Sequence, residues 1–361
     1  MAASEFGDAP RRPLDAPRPP LDAPRPPLWV ALFERLCAAR GARLEVEPTY
    51  GYAGAIVAAD GRRSVFKGTN FDINPAGAAA LARDKDYAAR FLSAAGLNVP
   101  RGLLVHAPQR IAAFHLKNPA IAARLPDSEA ALAFARDVGF PLYVKPNEGS
   151  EGDGVVKVAD AAALTAALSG LCVRHDRVLV QETVDGADLR LVVLDGAVRA
   201  AFLRAPLTVV GDGLSPVSAL LAARLATFSA GGHGARIAVD DPRILAHLAA
   251  SGRTLASVPA AGERIACLAN ANLSTGGTAE DVTDTLPPAL AGLGARAAAA
   301  LGLRFAGVDL LVEELSADTP RAVVLEINAG PGLSYIHRQG GAAAARVEAI
   351  YADLLDAMLA G

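Results

Sequence analysis

The sequence predicts an α+β fold, and three observations carry that prediction. Short β-branched strand-like runs are interleaved with amphipathic helical stretches along the whole chain from Leu28. Two hairpin signals, Asp60-Gly61 and Asp195-Gly196, sit between apolar runs. Strand-like segments also follow one another in quick order between Leu142 and Leu203. Such spacing suits antiparallel hairpins better than a doubly wound parallel sheet.

Taken in order, Leu28–Arg40 reads as an amphipathic helix stopped by Gly41. Apolar runs at Arg43–Val46 and Ala55–Ala59 read as strands, with Ser64–Lys67 as the return strand. Asn74-Pro75 opens a helix carrying Ala78–Arg83, and a second spans Lys85–Ala95 before Gly96 and Pro100. A helix at Ser128–Val138 is capped by Asp127 or Ser128. Strands are expected at Leu142–Lys145, Val155–Val158, Val178–Gln181, Leu189–Leu194 and Val198–Leu203. Residues 215–250 read as helical and irregular. Strands Ala306–Val312 and Ala322–Ile327 lead into Asn328-Ala329-Gly330-Pro331-Gly332, and a final helix runs from about Ala342 to Leu359.

Bulk properties bound the function. A chain of 361 residues with 52% hydrophobic composition can bury a large core, and no apolar run reaches membrane length without a charge. A net charge of −3 gives no reason to expect a nucleic-acid or membrane-surface partner. Cys37, Cys172 and Cys267 lie far apart and form no CxxC pair, which fits free thiols in a cytoplasmic protein. The N-terminus lacks the apolar stretch of a signal peptide. Instead PLDAPRP at Pro13–Pro19 repeats at Pro20–Pro26, so residues 1–27 read as a disordered, polyproline-like tail. The lysines are few: Lys67, Lys85, Lys117, Lys145 and Lys157.

One of them closes the strand Pro141-Leu142-Tyr143-Val144-Lys145-Pro146. It is followed by Glu148-Gly149-Ser150-Glu151-Gly152-Asp153-Gly154-Val155. Closely spaced glycines let backbone N–H groups curl around an anion, Ser150 adds a hydroxyl, and Lys145 adds a point charge. Neither a Walker A loop nor a Rossmann fingerprint is present, since the loop opens into a strand. Alone such a loop is more often a plain turn; with Lys145 beside it, phosphate binding is favoured. The connector Glu182-Thr183-Val184 and the pair Asp188 and Arg190 on one strand face suit an adenine edge and ribose hydroxyls, although taken alone an ordinary turn with a salt-bridged Asp and Arg is the favoured reading. Asp309 and Glu326 each sit on an apolar strand, with Asn328 two positions on. A buried unpaired carboxylate is costly, so either arginines pair with them or they form a hard-oxygen set for Mg²⁺; with the phosphate loop in the same chain, metal ligation is favoured.

The order of these motifs resembles the ATP-grasp superfamily. It is closest to the ligase core of cyanophycin synthetase and to the glutathione-synthetase module of bifunctional glutathione enzymes. The likeness covers roughly residues 80–340. It runs through Asp84-Lys85, Lys145 with Gly149–Val155, Glu182–Arg190, Arg204-Ala205-Pro206, Asn272-Leu273-Ser274-Thr275-Gly276-Gly277, Gly307-Val308-Asp309 and Glu326–Gly332.

The resemblance implies an ATP-grasp fold, with two α+β subdomains gripping ATP: residues 106–182 with the Gly-rich loop, and 183–361 with the Mg²⁺ and substrate sites. A small α/β domain, 28–105, precedes them. It implies that Lys85 and Lys145 contact ATP phosphates and that Gly149, Ser150, Gly152 and Gly154 close over them. Glu182, Thr183 and Val184 would read adenine and Asp188 would hold ribose. Asp309, Glu326 and Asn328 would bind two Mg²⁺ ions, for which Mn²⁺ could substitute. Arg190, Arg204 and Asn272 would serve catalysis, and Arg204, Ser274, Thr275, Gly276 and Gly277 the substrate. One departure is Leu268-Ala269, where relatives carry a basic residue. The implied activity is ADP-forming ligation of a carboxylate to an amine through an acyl phosphate. Amino acids or small peptides are the expected partners, with no nucleic acid or membrane; the resemblance allows a homodimer but leaves the oligomeric state open. A tailoring ligase on a peptide, or a non-catalytic nucleotide-binding regulator, are the competing readings.

Overall fold

The computed structural model describes residues 27–149, 152–230, 237–315 and 321–360. The Pro-rich repeat and Ser150 lie outside those residues. Helix α1 (Leu28–Ala39) buries Trp29, Val30, Leu32, Phe33 and Cys37 on one side. Strands β1 (Arg43–Val46), β2 (Ala53–Val57), β3 (Arg63–Lys67) and β4 (Asn70–Phe71) form an antiparallel sheet in chain order. Helices α2 (Ala76–Arg83) and α3 (Lys85–Ala94) follow.

A second four-stranded sheet comes next. Its chain order is β5 (Gly102–His106), α4 (Pro108–Lys117), α5 (Pro119–Ala122), α6 (Ser128–Val138), β6 (Leu142–Pro146), β7 (Val156–Val158), α7 (Ala161–Cys172) and β8 (Arg177–Glu182). Its spatial order is β5-β8-β6-β7. Helix α7 is the crossover that carries the chain past β6, so β8 pairs with β6 and not with the preceding strand. Leu164, Leu168 and Leu171 recur at helical spacing on α7 and pack on Val144, Val158, Val178 and Val180.

The third sheet is the largest. It takes β9 (Ala187–Leu194), β10 (Ala197–Ala205), β13 (Thr278–Asp281), β14 (Phe305–Val312) and β15 (Ala322–Asn328), in the order β13-β10-β9-β14-β15. Between β10 and β13 an insertion holds β11 (Thr208–Val210), α8 (Val217–Ala230), α9 (Pro242–Ala250) and β12 (Arg264–Ala266) around its own apolar cluster. Helix α10 (Pro288–Ala300) precedes β14; α11 (Ser334–His337) and α12 (Gly341–Ala360) end the described chain. Strand alternation decides what each face meets. Leu189, Leu191, Val193, Val308 and Leu310 face the core shared with α2, α3 and α10. Val192, Leu194, Phe202 and Phe305 face the core that also holds Trp29, Phe33, Phe66, Phe71 and Tyr351.

The mixture of helices and antiparallel sheets is α+β, as the hairpin spacing predicts. No helix among the described residues is long and apolar enough to cross a membrane. Strand β5 and helices α4, α7 and α10 are findings beyond the sequence expectation. Alanine-rich α7 and α10 carry few large apolar residues, which dilutes their periodicity. Even so, Asp160 caps α7 by accepting from Ala163 N at 2.8 Å, a start signal present in the sequence.

Candidate active site

Antiparallel register places a row of charges across the large sheet. Arg190 on β9 stands opposite Asp309 on β14, which stands opposite Glu326 on β15. Asp188 is two positions from Arg190 and pairs across β10 with Arg204. Asn328 lies two beyond Glu326, opposite Gly307. Alternation therefore gathers Asp188, Arg190, Arg204, Asp309, Glu326 and Asn328 on one face, at the end beyond the apolar Val192 and Leu194. Gly307 is required by this crowding: a Cβ there would lie 2.9 Å from Pro331 Cβ and 3.1 Å from Arg190 Nη1.

The centre of the face is an alternating charge cluster. Arg190 grips Asp309 with two N–H groups, Nη2 donating to Oδ2 at 2.7 Å. Arg204 Nη2 lies 3.2 Å from Asp309 Oδ1, while its Nε donates to Asp188 Oδ1 at 2.8 Å. Burial opposes ionisation of Asp309, yet Arg190 and then Arg204 hold its carboxyl below the usual range. At Asp188 burial wins, aided by Asp309 and opposed by Arg204, and its carboxyl is pushed up.

The lysines arrive from outside this sheet. Lys145, on β6, is buried and donates to Gln181 Oε1 at 2.7 Å. Burial pulls its ammonium down to about 8; Glu326 opposes the fall and Lys85 deepens it. Lys85 begins α3, donates to Gly149 O at 2.9 Å and lies 4.0 Å from Glu326 Oε1. Its backbone is fixed on both sides. Asp84 caps α3 through Tyr87 N at 3.1 Å and binds Arg177 at 2.5 Å. Asn147 accepts from Lys85 N at 3.3 Å and from Asp86 N at 3.0 Å. The hairpin base and the helix start are thus one unit, and Lys85, Lys145, Gly149 and Glu326 converge between two sheets.

The Gly-rich loop reaches the segment that follows the insertion. Gly152 has φ +73, and a Cβ there would collide with the side-chain amides of Asn270 and Asn272. Asn272 Nδ2 is buried and has no hydrogen-bond partner among the described residues. Asn272 O accepts from Thr275 N, Thr275 Oγ1 and Gly277 N at 3.1–3.3 Å, closing the turn through Ser274, Thr275 and Gly276. Thr278 then pairs with Ala205, next to Arg204.

The remaining expected residues lie at the end of β8, in the connector after it and in the Gly-rich loop. The Glu182 carboxylate accepts from Arg101 N at 2.7 Å, and Thr183 Oγ1 donates to Pro141 O at 2.9 Å, so both side chains serve the connector itself. Val184 lies in the extended stretch after β8. Gly154 stands against Pro146. Residues that sequence reasoning gave no role include Gln181, Asn147, Arg177 and Asn74. Asn74 donates to Phe305 O and Ala329 O at 2.7 Å and accepts from Arg304 N and Phe305 N, pinning the loop after Asn328. Thr69 Oγ1 adds a bond to Gly330 O at 2.7 Å. Their signal was the polar side chain beside an apolar element, which does not name a distant partner.

The donor set fits a polyanion with a hard cation. A buried lysine whose nearest carboxylate neighbour is shared with Lys85, and an orphaned amide N–H beside a Gly-rich loop, both lack negative charge. Glu326 and Asn328, next to Asp309, offer the hard oxygens Mg²⁺ prefers.

Two sheets closing on such a face define the ATP-grasp class. Residues 82–207 match the RimK-like ATP-grasp domain, and the chain contains that domain. It is 32% identical over 259 residues to cyanophycin synthetase of Nostoc sp., a match covering 70% of this chain and 26% of that protein. It is also 32% identical over 219 residues to the glutathione biosynthesis bifunctional protein of Streptococcus agalactiae, covering 58% of this chain and 29% of the relative. The chain thus spans between a quarter and a third of the length of these relatives. Among solved structures, a bifunctional glutathione synthetase from Pasteurella multocida superposes with a TM-score of 0.53 at 22% identity, over 86% of this chain and 41% of that one, which shows the fold.

Proposed function

We propose that the chain is an ATP-dependent, ADP-forming carboxylate–amine ligase that joins amino acids or small peptides through an acyl phosphate. The observation that carries this reading is the convergence of Lys85, Lys145 and the Gly149 hairpin on Glu326, across two sheets. Under it, residues 106–182 and 183–361 are the two subdomains that hold the nucleotide, and 28–105 the domain before them. Lys85 and Lys145 bind the phosphates, with backbone N–H groups of the Gly149–Gly154 loop. The connector from Glu182 to Val184 offers its backbone to adenine, and Asp188, oriented by Arg204, faces the ribose. Asp309, Glu326 and Asn328 hold Mg²⁺, which when bound neutralises phosphate charge and polarises the transferred group.

The side chains do no covalent chemistry. The acid's carboxylate oxygen attacks the γ-phosphorus, the β–γ bridge breaks, and ADP leaves. The amine nitrogen then attacks the acyl carbon, phosphate departs with the electron pair of the C–O bond, and the nitrogen gives up its proton to the departing phosphate. Lys85 and Lys145 carry the charge that moves in the first step. Arg190 and Arg204 fix the carboxylates at the face, and the Asn272 amide donates to the acyl phosphate. The loop at Gly152, closed on Asn272, excludes water that would hydrolyse it.

The test is nucleotide product analysis with hydroxylamine trapping. Incubation with ATP, Mg²⁺ and a panel of amino acids should release ADP and phosphate, and hydroxylamine should yield the hydroxamate of the donor acid without any amine acceptor. AMP and pyrophosphate as the main products would remove the ATP-grasp ligase reading.

A further inference from the structure

Where β10 ends, one residue past Arg204, the chain turns into the insertion and a cavity of about 340 Å³ opens. Ala205, Pro206 and Thr278 form its floor, the β11–β12 hairpin one wall and α8 the other. The volume falls within the range of small-molecule pockets. Alternation shapes its walls. Ile265 turns inward to the apolar cluster with Leu221, Ile244 and Leu248, and Val209 joins that cluster while also touching the cavity, which Thr208, Val210 and Arg264 line beside it. On α8 Leu220 and Arg224 lie one turn apart and both line the space.

Those two arginines differ from their neighbours. In the same insertion Arg243 is paired with Asp241 and Arg253 with Glu263. Arg224 and Arg264 form no ion pair among the described residues, although Arg224 is half-buried. Two guanidinium groups lining one small cavity without a carboxylate make it anion-selective, and the planar fork of arginine matches a carboxylate.

The cavity also belongs to the reacting side of the molecule. One turn beyond Arg224, Phe228 stacks on Tyr335 with ring centres 5.9 Å apart and planes at 16°. Tyr335 is in α11, directly after the Gly330–Gly332 loop that follows Asn328, and Gln339 Nε2 donates to Ala279 O on β13 at 3.0 Å. The stack thus holds α8 against the segment that ends the charged face, and Ala205 and Thr278 are chain neighbours of Arg204 and Gly277.

We propose that this cavity is the specificity pocket of the ligase, in which Arg224 and Arg264 bind a carboxylate that is not the one activated. The proposal rests on the ligase reading. It assigns the enzyme a dicarboxylic substrate: either the donor carries a second carboxylate, or the amine acceptor carries one beyond its α-carboxylate. Phosphate groups of the nucleotide are served by Lys85 and Lys145 at the other sheet, so the cavity is left to the organic substrate.

The experiment uses R224M, R264M and R224K in the full chain, with L-glutamate and L-aspartate as probes and L-glutamine and L-asparagine as their neutral counterparts. Hydroxamate formation reads the donor side; amide formation with each probe as acceptor reads the other. The wild type should prefer at least one dicarboxylic acid over its amide. Each methionine variant should raise KM for that acid about ten- to hundredfold, the loss of a charge-assisted contact, with KM for ATP unchanged and partial recovery in R224K. A defect in the hydroxamate assay assigns the carboxylate to the donor; a defect confined to amide formation assigns it to the acceptor. Unchanged KM values, or no discrimination by the wild type between acid and amide, overturn the pocket while ligation itself stands. Calorimetric binding of L-glutamate that depends on both arginines, in a chain that releases no ADP, keeps the pocket and removes the ligase reading.

Discussion

Lys145 is a buried cation held without a close anion of its own, and that arrangement has a measurable cost. Its pKa falls from 10.5 to about 8, chiefly through burial. The folded chain therefore binds fewer protons than the unfolded chain between about pH 8 and 10.5, and stability rises with pH across that window. Below it the full penalty applies, about 3 kcal/mol at pH 7; at pH 9.5 about 1.4 kcal/mol remains. Lys145→Met removes the charge and also strands Gln181 Oε1, whose lost hydrogen bond costs about 1 kcal/mol. The ligand-free variant should then be about 2 kcal/mol more stable than wild type at pH 7 and nearly equal to it at pH 9.5. Urea unfolding at both values, followed by fluorescence and circular dichroism together, measures this. Calorimetry on the same samples should show that the variant loses ATP affinity. A variant less stable than wild type at pH 7, or a difference that ignores pH, would refute the assignment of Lys145 as an uncompensated site charge.

Three further perturbations test the rest of the face. Arg190→Met leaves Asp309 buried with only Arg204 nearby and should cost about 3 kcal/mol in urea unfolding, most of it recovered in the double variant R190M/D309L. Glu326→Gln and Asn328→Ala should each raise the Mg²⁺ concentration for half-maximal ADP release several-fold; titrations superposing on wild type would disprove the ligand set. Gly152→Ala places a side chain at φ +73 against Asn270 and Asn272, so turnover should fall at least tenfold, by an order-of-magnitude expectation for a displaced donor, while the unfolding midpoint moves little.

Much of the local structure was legible because period and punctuation agree. Strand β6 ends in Lys145-Pro146, and the glycines after it announce a hairpin. The strands bearing Asp309 and Glu326 are apolar runs interrupted by one acid each. Their pairing in one row, with Arg190 opposite Asp309, is a matter of register, which depends on residues more than a hundred positions apart. Metal ligation is the reading the sequence favours for those carboxylates, yet in this structure Asp309 is gripped by arginines and Glu326 faces Lys85 at 4.0 Å, a pairing that only the register discloses. The strand order β5-β8-β6-β7 was hidden for another reason. It requires α7 as a crossover, and a helix built on alanine announces itself weakly. Nothing local revealed that Asp84, Arg177 and Asn147 fasten Lys85, since each is an ordinary polar residue until the fold brings them together.

The packing of α1 on α12 bears on how this chain is made. Phe33 meets Tyr351 edge-on at 5.9 Å, and Phe71 meets it at 6.3 Å. Arg40 reaches Asp356 on the same helix. A ribosome that has finished Phe71 must add nearly three hundred residues before Tyr351 appears, which takes tens of seconds at roughly 5–20 residues per second. Throughout that interval Trp29, Phe33, Phe66 and Phe71 form an aromatic surface awaiting its cover. Nascent chains should therefore bind holdase chaperones through this early segment and release them only once the helix bearing Tyr351 has emerged.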